Sequence, residues 1–316
     1  MCRHLAYVGP PASLRSLLID PPHSLYRQAW APRLQRHGTV NADGFGVGWY
    51  AGSDPVPARY RQAVPIWTDQ SLPDIARVTS SGAVLAAVRS ATPGTASGAE
   101  AAAPFGRGRW LFSHNGAAQR WREWAEQAYV NDRPGHGGDW PGPAGGDGPS
   151  LLPSLAALVD SAFLWALAVR RLLAGQAMGT ALAGVIGAVE AAGGTGRFNF
   201  LLTDGRSIAA TACGDTLWYR RAGDGAAGSV TVASEPTDDE PGWTQVPDRP
   251  LLTAAPSLVS VQPLPAPRAA AVTDAIQLLG DTALPATVPP TTGLPTTALP
   301  TTVLPTTGRT EGIVTT

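Results

Sequence analysis

No lysine occurs among the 316 residues, so all 23 basic side chains are arginine. That absence excludes a P-loop lysine for nucleotide phosphates, a pyridoxal Schiff base and a lysine nucleophile. Cysteine is almost as scarce: Cys2 and Cys213 stand alone, too few for a disulfide framework or a four-cysteine zinc site. His4, His23, His37, His114 and His136 show no H-E-x-x-H spacing. Charge is low, 15 % of residues with a net of −1, and no basic surplus points to nucleic acid or an anionic membrane. Long apolar runs are missing too. The most apolar stretch, 155 to 169, contains Asp160 and stops at Arg170 and Arg171, short of the roughly 20 residues that span a bilayer. The first twenty residues carry Arg3 and Arg15 and lack the apolar run of about 7–15 residues that forms a signal-peptide core. These exclusions lead to the expectation of a soluble, cytoplasmic protein with a small-molecule partner, no nucleic acid and no membrane. They do not fix an oligomeric state.

What is abundant is turn chemistry. Gly (36) and Pro (30) together make up about a fifth of the chain, yet 44 % hydrophobic content is that of a globular protein. Residues 131 to 149 hold eleven Gly or Pro in nineteen positions, which reads as a flexible surface loop. After Pro263 the composition shifts to Pro, Thr and Ala, and LPTT recurs at 294, 299 and 304. The boundaries drawn are therefore a domain over 2–263 and a largely disordered Pro/Thr-rich tail over 264–316. Strand-like runs bounded by turn residues cover 44–50, 83–90, 110–115, 198–204, 207–214, 216–221 and 229–235. Helical spacing puts Trp121, Trp124, Ala125 and Ala128 on one face of 119–130; Asp160 is placed as the N-cap of a second helix running to Leu173; 179–192 reads as a third. Strands at both ends with helices between them argue for an α+β layered domain.

The position of Cys2 is the most informative feature. Removal of Met1 would leave a thiol and a free α-amine on one residue. With reference pKa values of about 7.7–8.0 for the amine and about 8.5 for a thiol, nucleophile and base can be the same residue. Six segments in one order carry a resemblance: MCRHLAYVGPP (1–11), NADGFGVGWY (41–50), VRSATPG (88–94), FSHNGA (112–117), ALVDSAFLWAL (157–167) and ASEPTDDEPGW (233–243). Together they resemble the class II glutamine amidotransferases of the N-terminal-nucleophile (Ntn) hydrolase superfamily. Within that group they look most like the ergothioneine-pathway amidohydrolases, which remove a γ-glutamyl group from a hercynylcysteine sulfoxide intermediate. The resemblance runs from residue 2 to about 263 and implies a four-layer αββα sandwich.

It also implies roles. Cys2 matches the nucleophile, and Asn115 with Gly116 the oxyanion hole. Arg89 and Thr92 match the group that holds the substrate's α-carboxylate, and Asp160 the acid that receives its α-ammonium. The implied reaction is hydrolysis of a γ-glutamyl amide with no metal or organic cofactor. Ser90 and Pro93 stand where many relatives have Trp and His, and Ala162 replaces an acidic residue, so the expected substrate is a bulky γ-glutamyl-cysteine conjugate rather than glutamine. A glutaminase that supplies ammonia to a separate synthase stays open as the alternative. Other features have plainer readings: Asp43 before Gly44 opens a turn, His114 orients or packs, and Cys213 is an inert buried thiol. Most of the ten Trp are core, with one or two available as a wall for a trimethylammonium group. Leu304–Gly308 fits a sortase pattern, but neither of that pattern's usual companions, a signal peptide and a following apolar segment, is evident.

A chain truncated after about residue 280 should keep its activity and melting temperature, because a Pro/Thr tail with scattered Leu and Val cannot supply a core. A loss of many degrees in thermal unfolding would move the domain boundary.

Overall fold

Burial alternates between two clusters along the first strand, and this sets the architecture. In β1 (Cys2–Ser13), Leu5 and Tyr7 enter one apolar cluster while Ala6 and Val8 enter another, so both faces of the strand are covered. The computed structural model describes residues 2–92, 94–132 and 155–264. They form two antiparallel sheets packed face to face, each with helices on its outer face: the αββα sandwich.

The first sheet has seven strands in the order β11 (Thr244–Gln245), β9 (Trp218–Ala222), β10 (Ser229–Ala233), β1, β4 (Ser80–Arg89), β2 (Phe45–Trp49) and β3 (Ala58–Gln62). The second has six: β13 (Leu258–Pro263), β12 (Pro250–Ala255), β8 (Ile208–Thr211), β7 (Thr195–Thr203), β6 (Trp110–Gln119) and β5 (Phe105–Arg107). Short helices α1 (Leu14–Leu18), α2 (Leu25–Gln28) and α3 (Leu72–Val78) cover the first sheet. Longer ones, α4 (Trp121–Asn131), α5 (Asp160–Leu173) and α6 (Met178–Ala191), cover the second.

Three apolar cores follow from these layers. Leu85, Leu111, Leu201, Val232 and Leu252 fill the space between the sheets. Phe45, Val47, Val84 and Val88 pack under α1–α3. The third core, beneath α4–α6, is aromatic: Phe112 stacks on Trp165 with centroids 5.3 Å apart, and Trp121 and Trp124 contact Phe163 at 5.7 and 5.9 Å. The face predicted for α4 is the buried one, since Trp121, Trp124, Ala125 and Ala128 are all buried.

Two expectations shift. Asp160 is not the N-cap of α5; Val159 is, in extended conformation, and Asp160 is the first helical residue. Its carboxylate still serves the helix start by accepting from the Ser161 N–H at 2.8 Å, but its other oxygen reaches across to the Ala118 N–H of β6 at 2.9 Å. Strands β1, β3, β5, β11, β12 and β13 add to the predicted runs. Within 131–149, positions from 133 onward lie outside the described residues, as do 265–316 of the tail.

Close approach of the layers constrains β2. A Cβ at Gly46 would run into the Ala103 carbonyl and lie 3.0 Å from Pro104 Cδ. Gly46→Val should therefore destabilise the fold by ~1–3 kcal/mol or more through overpacking, read as a lower urea midpoint at an unchanged m-value.

Candidate active site

Two strand ends meet across the sandwich. Pairing of β1 with β4 sets Cys2 opposite Arg89. Period-two alternation turns Cys2 toward the second sheet together with His4, Ala6 and Val8, and turns Arg3 toward the helices with Leu5 and Tyr7. On β6 the same rule sends Leu111, Ser113 and Asn115 toward the first sheet, and Phe112 and His114 toward α5. Polar residues consequently face each other where the apolar core ends. The Cys2 N–H donates to Asn115 Oδ1 at 3.3 Å, and His4 Nδ1 lies 3.2 Å from Ser113 Oγ. Ser234, just after β10, accepts at its Oγ from the His4 N–H at 3.1 Å and from Asn115 Nδ2 at 3.4 Å.

Arg89 is fixed by two main-chain carbonyls and one hydroxyl. Its Nη1 donates to the Asp43 carbonyl at 3.3 Å, and its Nη2 to the Ala96 carbonyl at 2.7 Å and to Thr95 Oγ1 at 3.3 Å. The Asp43 carboxylate accepts from the Ala91 N–H at 2.7 Å, so this residue braces the loop after β4, a long-range contact rather than the local turn bond expected from its sequence. Across the cleft, Asp160 Oδ1 accepts from the Ser161 N–H and lies 3.3 Å from the Ser161 hydroxyl, while Oδ2 accepts from the Ala118 N–H. Four of an ionised carboxylate's acceptor positions are available in all, so capacity remains for a cationic group. Gly116 is required by packing: a Cβ there would strike the Arg197 carbonyl and come within 2.6 Å of His114 Nε2.

His114 explains how Asp160 is held. Its Nε2 lies 2.8 Å from the Arg197 carbonyl, which can only accept, so the ring carries its proton there. Nδ1 is then the acceptor for the Ser161 hydroxyl at 3.0 Å. Burial lowers the His114 pKa from the usual histidine value, with Asp160 pulling the other way. His4 is pushed well below the usual value by burial, and by repulsion from His114 and Arg3. The ring nitrogens thus act as neutral hydrogen-bonding groups.

Cys2, Arg89, Thr92, Gly116 and Asp160 line one small cleft, along with Thr95, Phe105, His114 and Ser161. Asn115 adjoins it through the Cys2 N–H. Thr95, Ser161 and Ser234 carry no signal of their own in the sequence. Ser161 and Ser234 nonetheless fall inside segments that bear the family resemblance, and Thr95 lies one residue beyond another. A larger cavity, about 1100 Å³, lies at the opposite end of β1 beside Val8, Tyr50, Arg109 and Arg206 and includes none of these groups. Among the described residues no His, Cys, Asp and Glu cluster suits a metal ion, and no helix is long and apolar enough to cross a membrane.

Facing antiparallel sheets between helical layers, with the candidate nucleophile at the start of a central strand, define the Ntn architecture of the class II glutamine amidotransferases. A glutamine aminotransferase class-II domain protein from Silicibacter pomeroyi superposes with a TM-score of 0.53 over 84 % of this chain and 100 % of that one, at 22 % identity. No family model matches the chain. It is 39 % identical over 267 residues to the gamma-glutamyl-hercynylcysteine sulfoxide hydrolase of Mycolicibacterium smegmatis, covering 84 % of this chain and 100 % of the relative. With the enzyme of the same name from Mycobacterium tuberculosis it shares 40 % identity over 252 residues, 80 % of this chain and 92 % of the relative. The chain belongs to the γ-glutamyl-hercynylcysteine sulfoxide hydrolase family.

The two buried histidines have a consequence for stability. Their folded pKa values lie below the unfolded reference of about 6.5, so the unfolded chain binds more protons below that pH. The stability tied to their neutral state is fully present above about pH 6.5 and lost as pH falls through the folded values. Urea unfolding should give a lower free energy at pH 5 than at pH 7, and His114→Gln should show a smaller drop between the two.

Proposed function

We propose that this protein hydrolyses the γ-glutamyl amide bond of γ-glutamyl-hercynylcysteine sulfoxide, releasing glutamate and hercynylcysteine sulfoxide by way of a thioester on Cys2. The observation that carries this reading is the 39 % identity extending over the whole length of a hydrolase named for that substrate. The cleft geometry supports a role for each group.

Loss of Met1 frees the Cys2 amine, which takes the thiol proton as Sγ attacks the γ-carbonyl carbon. Negative charge then develops on the carbonyl oxygen, where the Asn115 side-chain amide and the Gly116 N–H are suited to receive it; such donors act on charge that appears only in the transition state. Collapse breaks the C–N bond, and the Cys2 ammonium returns its proton to the departing amine. Water, deprotonated by the same amine, attacks the thioester and restores the thiol as glutamate leaves. Proton transfer is thus covered by one residue.

Recognition of the glutamyl end rests on charge. Arg89, held in plane by Asp43, Thr95 and Ala96, matches a carboxylate, and Thr92 lies beside it at the cleft. Asp160, with spare acceptor capacity, matches an α-ammonium. Clamping both charged groups presents the γ-carbonyl to Cys2 and makes attack effectively intramolecular. Ser90 adjoins this clamp without the bulk of the Trp expected in many glutamine-using relatives.

The test compares kcat/KM for glutamine, γ-glutamylcysteine and the hercynylcysteine sulfoxide conjugate at one pH. The conjugate is expected to be the best substrate. Glutamine as the best of the three would replace this reading with the ammonia-supplying one, and no turnover of any by protein lacking Met1 would replace it with a binding role.

A further inference from the structure

We propose that Ser234 is a positioning residue for this reaction: its hydroxyl holds the Asn115 amide so that the second Nδ2 hydrogen faces the developing oxyanion. This inference rests on the oxyanion role given to Asn115 above.

Ser234 is itself immobile. It is fully buried, its N–H donates to the His4 carbonyl at 3.0 Å, and its carbonyl accepts from the Thr216 hydroxyl at 2.7 Å. Its Oγ spends its two lone pairs on the His4 N–H of β1 and on Asn115 Nδ2 of β6. One oxygen atom therefore ties the strand that carries the nucleophile to the amide on the opposite sheet. Without it, Asn115 is held at Oδ1 alone, by the Cys2 N–H at 3.3 Å. The terminal torsion of an asparagine is broad, so the amide could swing its donor out of line while keeping that contact.

An oxyanion donor is worth roughly 10²–10³ in turnover, and a misplacement of about 1 Å forfeits much of such a gain. Ser234→Ala is accordingly expected to lower kcat by roughly 10-fold with KM within about twofold. A role in packing alone would lower the fraction of folded enzyme and leave the turnover of folded enzyme intact.

The deciding experiment is a double-mutant cycle of Ser234→Ala and Asn115→Ala, with kcat expressed per folded enzyme. If Ser234 acts through Asn115, its loss should cost less than about twofold in the Asn115→Ala background. An equal cost in both backgrounds, or an unchanged kcat in the single variant, overturns the positioning role. If the alanine variant does not fold, Ser234→Cys keeps the volume with a weak acceptor and is held to the same two outcomes. An Asn115→Ala single variant with normal kcat would instead overturn the oxyanion assignment itself, so the two failures are told apart.

Discussion

The antiparallel pairing of β1 with β4 is the constraint on which the site and the core both depend. β1 is the central strand of its sheet, and its register runs from Cys2 opposite Arg89 to Ser13 opposite Ser80, with an irregularity between Val8 and Ala12. A slip of one residue would turn Cys2 toward the helices and drive the Arg3 guanidinium between the sheets. Leu5 and Tyr7 on one face, with Ala6 and Val8 on the other, hold the register by burying apolar groups in two different cores. The hydrophobic effect that stabilises the sandwich thus also sets Cys2 beside Arg89 at the candidate cleft.

The layered α+β fold was legible in the sequence, and the candidate site residues chosen there lie close together in it. Of the residues singled out through six ordered segments, Cys2, Arg89, Thr92, Gly116 and Asp160 line one cleft, and Asn115 adjoins it through the Cys2 N–H. The helical face of α4 was visible because four apolar residues recur at helical spacing. β1 escaped notice as a strand because Gly9, Pro10 and Pro11 look like a turn; the register irregularity between Val8 and Ala12 is what lets the chain pair through them. β3 was hidden by Arg59 and Arg61, which suit the edge position it occupies. Asp160 was misplaced by one position because its bond to Ala118 is tertiary and has no local signature. The hydroxyls of Thr95, Ser161 and Ser234 matter through partners distant in sequence or through loop geometry, neither of which spacing alone reveals.

The absence of lysine has a counterpart beside Cys2. Arg3 is fully buried, with Nε donating to Gln35 Oε1 at 3.0 Å. Burial lowers its pKa, and the negative charges of Glu235 and Asp215 act against that shift. Glu235 in turn accepts from the Arg33 and Leu34 N–H groups at 2.9 and 2.7 Å, so the buried cation is coupled to the loop that follows α2. A guanidinium keeps its charge under desolvation where an ammonium readily surrenders its own. Arginine at this position therefore places a permanent positive charge one residue from Cys2.

Cys213 packs beneath the helices of the second sheet, almost inaccessible, and burial pushes its thiol up to about 12. Thiolate, not thiol, reacts with electrophiles, so this sulfur is silent at neutral pH. The chain then offers a single addressable sulfur to an alkylating reagent, and that sulfur is the one at the cleft. Label incorporated per folded chain thus becomes a direct count of free Cys2 thiols, with no need to engineer the second cysteine away.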